Sequence, residues 1–246
     1  MTRVPFLLPL ALALAAPAVA QQSSAMKDKA VDFTVRIENV STPMTLKLST
    51  GGTAPAPTAP VLWVVHTAPA PLFTSGQPDR GVGLETLAEE GNPEPLSHAL
   101  GGTPGVVAVG AMAIPDGDMA AGPITPGKSY TVTFKAAPGQ RLTLAMMFGQ
   151  SNDLFYAPDA AGIPLFDAQG KPLTGDITPR LVLWDAGTEV NQEPGVGADQ
   201  APRQKMANTG KAEHGTVRPV NDGYTYPPVG QVVRVTVTPG MMGMNH

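Results

Sequence analysis

The residues most able to do chemistry here are acidic side chains at the exits of apolar strands. Leu181-Val182-Leu183-Trp184 is a short apolar run that ends in Asp185. The chain then turns through Ala186-Gly187-Thr188 and presents Glu189. A carboxylate on each side of a glycine-bearing turn can bring both headgroups to one point. Hard cations such as calcium take about six to eight oxygens, mixing carboxylates with carbonyls and waters. Two carboxylates and the turn carbonyls supply part of such a shell, and without a cation they repel each other. A third acidic residue, Asp153, follows the apolar run 142–148 through Gly149-Gln150-Ser151-Asn152. It leaves its strand as Asp185 leaves its own, and loops at one end of a sandwich cluster in space. A plainer alternative holds at each position. Acidic turn residues are commonly solvated or capping groups, and Ser-Asn-Asp is ordinary Asx-turn chemistry.

Other catalytic constellations are missing. The histidines are His66, His98, His214 and His246, with no i, i+4 pair and no H-E-x-x-H. His66 closes an apolar run and reads as a packed, hydrogen-bonded core residue. There is no G-x-S-x-G elbow. Gly51-Gly52 and Gly101-Gly102 lack the lysine and following helix of a phosphate loop. The chain has no cysteine, which removes disulfides, thiolate-bound metals, thiol catalysis and a lipidated cysteine anchor. The last residues, Met241-Met242-Gly243-Met244-Asn245-His246, offer thioethers and an imidazole that suit Cu(I). A flexible chain end is the simpler expectation for them.

Positioning such groups takes a framework, and the sequence implies one. Residues 1–20 have the form of an export signal: Arg3, then a short apolar stretch, then Ala18-Val19-Ala20 before Gln21. That stretch is shorter than the roughly 20 residues a membrane helix needs, and no later segment is long and apolar enough. The expected location is periplasmic or extracellular, without a lipid anchor. Net charge is −4, with no basic stripe, which argues against a nucleic-acid partner. Glycine and proline number 27 each, a density that suits short strands joined by many turns.

Val31, Phe33, Val35 and Ile37 alternate with polar residues, the mark of a half-buried strand. Residues 44–48 alternate similarly. Pro60-Val61-Leu62-Trp63-Val64-Val65-His66 reads as a buried strand, and residues 105–113 and 128–135 as two more. Leu142, Leu144, Met146 and Phe148 mark the next strand. The intervening Ala137-Pro138-Gly139-Gln140 predicts a hairpin between these last two. Val233, Val235 and Val237 mark the final strand. Leu84, Leu87 and Ala88 share one face of a helix that Gly91 can stop, and residues 95–100 add a second short helix. The expected fold is all-β: an antiparallel sandwich of about eight strands with one or two short helices.

Together these pieces resemble the spondin N-terminal domain of the F-spondin and mindin family, which includes many bacterial secreted proteins. The resemblance runs, in order, through Phe33-Thr-Val-Arg-Ile-Glu-Asn39, His66, Gly83-Leu-Glu-Thr-Leu-Ala-Glu-Glu-Gly91, Gly149-Gln-Ser-Asn-Asp-Leu-Phe155 and Trp184-Asp-Ala-Gly-Thr-Glu189. The last is the most specific. The resemblance covers 31–239 and implies a C2-like β-sandwich that binds calcium at one end. Carried over by position, the implied ligands are Asp153, Asp185 and Glu189. The chain departs from the animal proteins in three ways: Glu189 stands where they have Asp, their cysteines are absent, and so are their accompanying modules. The polar stretch 191–210 is typical of the bacterial members. It is expected either as an ordered loop tied down by Asn, Gln and Arg side chains or as a solvated linker.

The expected organisation is a signal at 1–20, a flexible segment at 21–30, the sandwich at 31–239 and a methionine-rich tail at 240–246. The expected function is a non-catalytic, calcium-binding adhesion or binding module for a protein or glycan ligand. Its rivals are a copper-handling protein using the tail and a metal-dependent hydrolase using the acidic residues.

Overall fold

The computed structural model describes residues 30–240. The expected export signal, residues 21–29 and residues 241–246 lie outside that range.

The chain runs through β1 (Val31–Asn39), β2 (Leu46–Lys47), β3 (Thr53–Ala54) and β4 (Thr58–His66). Two short helices follow, α1 (Leu84–Glu90) and α2 (Glu94–Leu100). Next come β5 (Val106–Met112), β6 (Ser129–Ala136), β7 (Arg141–Phe148), β8 (Leu154–Ala157), β9 (Ile163–Pro164) and β10 (Gly175–Asp176). The described chain closes with β11 (Val182–Asp185), β12 (Arg218–Pro219) and β13 (Val233–Pro239). The paired strands are antiparallel. Among the described residues no helix is long and apolar enough to cross a membrane.

Two sheets do most of the building. One has the order β10-β13-β1-β6, the other β12-β11-β8-β7-β4-β5 with β9 added against β7; β2 and β3 form a small hairpin apart. Burial explains the assignment of strands. In β1, Phe33, Val35 and Ile37 are buried while Asp32, Arg36 and neighbouring polar residues face outward, as period-2 alternation requires. In β7 every residue after Arg141 is buried. That strand has core on both faces, so it occupies the middle of the larger sheet.

The inner core joins Phe33, Val35 and Ile37 to Val61, Leu142, Leu144 and Met146 across the two sheets. A second apolar cluster covers the outer face of the larger sheet. It brings Leu84, Leu87, Leu96 and Leu100 of the helices onto Leu62, Ala145, Phe155 and Trp184. The architecture is therefore β-rich and sandwich-like, with two short helices on one side. His66 sits in this framework as the sequence suggests. It is fully buried, with Nδ1 2.8 Å from the Ala68 carbonyl and Nε2 2.9 Å from Thr143 Oγ1.

Two local expectations need correction. The turn after β6 does form, with Gln140 N–H donating to the Ala137 carbonyl at 3.1 Å. It joins no hairpin, because β6 pairs with β1 and β7 pairs with β4 in the other sheet. The chain crosses between layers there, since β6 has one buried face and β7 has two. Residues 44–48 yield only the two-residue β2. Thr42 and Thr45 close a turn around Met44, with Thr42 N–H donating to Thr45 Oγ1 at 2.8 Å, which leaves Met44 exposed.

A buried acidic cluster at one rim of the larger sheet

Strand pairing brings Asp153 and Asp185 together. In the β8–β11 ladder Asp185 lies opposite Leu154, one residue beyond Asp153. The Ala186 amide then donates to the Asp153 carbonyl at 3.2 Å. On the other side of β11, Asp185 lies opposite Arg218 of β12. Asp153 and Asp185 are both 0% exposed.

The turn after Asp185 is built as the sequence suggests, but it presents different groups. Gly187 takes a positive φ of 71°, a backbone region that suits glycine. A Cβ there would lie 2.6 Å from the Thr216 nitrogen. Asp185 Oδ1 accepts from the Gly187 amide at 2.7 Å. Asp153 Oδ2 accepts from the Thr188 amide at 2.8 Å, the Thr188 hydroxyl at 3.2 Å and the Glu189 amide at 3.1 Å. Glu189 thus meets Asp153 through its backbone. Its own carboxylate is buried, accepting from Asn152 Nδ2 at 3.3 Å and from the Gly210 amide at 2.9 Å.

That last bond anchors a returning segment. Val190 N–H donates to the Lys211 carbonyl at 2.7 Å, Glu213 N–H to the Thr188 carbonyl at 2.8 Å, and Gly215 N–H to the Gly187 carbonyl at 2.7 Å. Residues 210–215 therefore run antiparallel beside 187–190 and deliver Glu213. One oxygen each of Asp153, Asp185 and Glu213 lie within 4.8 Å of one another. The sequence points to two of these three. Glu213 carries no local motif. Its only sign is its position between Gly210 and Gly215, where a Cβ would lie 1.8 Å from Glu189 Oε2 and 2.8 Å from Arg218 Nη1.

The loop that makes this return is ordered by its own side chains. Gln192 Nε2 donates to Asp199 at 2.7 Å, and Gln200 Nε2 donates to the Glu193 carbonyl at 2.8 Å. Arg203 donates to the Gly197 carbonyl at 2.7 Å and to Gln150 Oε1 at 3.0 Å. The amide–carboxamide bond from Gln192 to Asn152, at 3.0 Å, fastens the loop beside the acidic residues.

Charge in the cluster is poorly balanced. Arg218 Nη2 lies 2.9 Å from Asp185 Oδ2 and 2.6 Å from Glu213 Oε1. Asn191 Nδ2 also donates to Asp185 Oδ2, at 2.9 Å. Yet Asp153 Oδ1, Glu213 Oε2 and Asn191 Oδ1 are buried with no hydrogen-bond partner among the described residues. Burial first, and the Asp185 charge second, push Asp153 up to about 7. Burial also raises Asp185, against the opposing pull of Arg218. Glu89 of α1, close by at Thr188, is pushed up to about 8, chiefly by burial.

The donor set is chemically specific. It is all oxygen, with partnerless buried oxygens on several residues, which suits a hard divalent cation. The three carboxylates of Asp153, Asp185 and Glu213 could hold a metal ion. Arg218 donates to Glu213, the Thr188 amide to Asp153, and Asn191 Nδ2 to Asp185, and these bonds orient the carboxylates. No protein-family model matches this chain, and no curated protein matches it significantly.

Proposed function

We propose that this chain is an exported metal-binding module whose acidic rim holds a hard divalent cation, with calcium the leading candidate. One observation carries the proposal. Asp153, fully buried, leaves Oδ1 without a partner among the described residues, in a group of three carboxylates whose oxygens lie within 4.8 Å. Burying ionised carboxylates without a compensating partner is costly, and a cation supplies the compensation. Calcium, rather than a softer metal, follows from the oxygen-only ligands. The resemblance to spondin N-terminal domains adds support for calcium, for a C2-like sandwich and for a non-catalytic role toward a protein or glycan. On this reading Asp153, Asp185 and Glu213 are the ligands, and Glu189 holds the segment that carries Glu213.

A metal-dependent hydrolase is the second reading, and Arg218 favours it. Its side chain is one-third exposed beside the carboxylates, where a metal ion and an arginine together could hold an anionic group. Turnover of generic phosphate or ester substrates, abolished in Asp185→Asn, would select that reading.

Thermal melts test the metal site itself. A ligand that binds only the folded state stabilises it by RT ln(1 + [L]/Kd). Millimolar calcium should raise the melting temperature over chelator in the wild type, and the rise should vanish in Asp153→Asn and Asp185→Asn. Identical melts of the wild type in chelator, calcium, manganese and magnesium would rule the site out.

A further inference from the structure

Arg218 lies against two of the three carboxylates of the proposed metal site, and its role there rests on that reading. Each carboxylate of the group has an oxygen held by protein donors. For Asp153 the donors are the Thr188 and Glu189 groups at Oδ2. Arg218 Nη2 donates to Glu213 Oε1 at 2.6 Å and forms an ion pair with Asp185 Oδ2 at 2.9 Å, where Asn191 Nδ2 also donates. The second guanidinium nitrogen, Nη1, donates to the Thr216 carbonyl at 3.1 Å. Arg218 is thus pinned to the returning segment while it spans two of the three carboxylates.

Asp185 has protein partners on both oxygens, with the Gly187 amide on Oδ1 at 2.7 Å. Glu213 Oε2 and Asp153 Oδ1 are buried and have no partner among the described residues. A guanidinium acting as a simple stand-in for the metal would take the oxygens the metal needs. This one takes the opposite oxygen of Glu213 and none of Asp153. Metal binding requires the carboxylates deprotonated; in that state the three carry three negative charges against the one positive charge of Arg218. A divalent cation brings the sum to zero, and a trivalent one overshoots.

We propose that Arg218 is a positioning residue that fixes Asp185 and Glu213 and sets the site's preference for a divalent over a trivalent cation. Partners in this outer position commonly change metal affinity about 10- to 100-fold when removed. The planar fork of arginine gives geometry as well as charge, and lysine gives charge alone.

The test compares calcium with terbium(III), the latter read by its luminescence, on the full chain and its R218Q and R218K variants. R218Q should weaken calcium binding about 10- to 100-fold. It should weaken terbium binding far less, so that the terbium-to-calcium affinity ratio rises by most of that factor. R218K should weaken calcium binding yet keep the wild-type ratio, because the charge stays. A merely structural role would weaken both ions together and leave the ratio alone, which overturns the proposal. Tighter calcium binding in R218Q overturns it as well, since Arg218 would then be a competitor. Should R218Q not fold, R218K decides: a ratio shifted from wild type rejects the charge role. Failure of the wild type to bind either ion removes the metal site, a result distinct from all of these.

Discussion

Glu189 bears on the acidic rim through what it holds in place. Its amide donates to Asp153, and its carboxylate accepts from the Gly210 amide at 2.9 Å. Gly210 begins the segment that carries Glu213 back. A Cβ on Gly210 would lie 1.8 Å from Glu189 Oε2 and 2.2 Å from its carboxyl carbon, so the carboxylate must move if one is added. Gly210→Ala should therefore cost about 1–3 kcal/mol of stability, as overpacking does, and should shrink the calcium-induced rise in melting temperature. Denaturant titration with and without calcium checks both. A variant equal to wild type in each would mean that Glu213 is held by other means. The legibility of the cluster divides along the same line. Asp153 and Asp185 stand where apolar strands end, and strand ends are visible in the pattern of residues. Glu213 is 60 positions beyond Asp153 in the numbering, and only backbone bonds made after a long loop has closed bring it there.

Among the elements, the strands were the most readable and their partners the least. β1, β4, β7 and β13 lie within a residue or two of where alternation and apolar runs put them. The helix stopped by Gly91 does too: Gly91 takes a φ of 68°, and its amide donates to the Leu87 carbonyl. A Cβ there would lie 2.3 Å from Ala59 Cβ, so the same glycine lets the helix end close on β4. Pairing was harder to foresee. The Ala137–Gln140 turn looks like a hairpin turn, but which sheet a strand joins depends on how many of its faces must be covered. Tyr130 and Phe134 give β6 one apolar face, whereas β7 needs cover on two. The loop 191–210 illustrates a third case. Its composition is that of a linker, yet Gln200 is fully buried and bonded to Gln192 and Glu193. Polar side chains that satisfy backbone groups leave no periodic signal.

For the molecule as a whole, the buried carboxyls set how stability should respond to pH. Asp153 is pushed up to about 7 and Glu89 up to about 8, both chiefly by burial. Such groups bind protons more tightly folded than unfolded. Their contribution is present below the ordinary carboxylate range of about 4 and is lost as pH rises through about 7 to 8. Metal-free protein should therefore melt at progressively lower temperature from about pH 5 to pH 8. Calcium needs the ligands deprotonated, so its stabilising effect should grow across the same window. Melts over that range with chelator and with calcium test this, and two parallel profiles would contradict it.

The most direct test is a crystal structure grown with calcium. It should contain a single cation bound by Asp153, Asp185 and Glu213 at about 2.3–2.6 Å, with Arg218 still on the outer oxygens of Asp185 and Glu213. Crystals with no density among those three carboxylates at saturating calcium would contradict it.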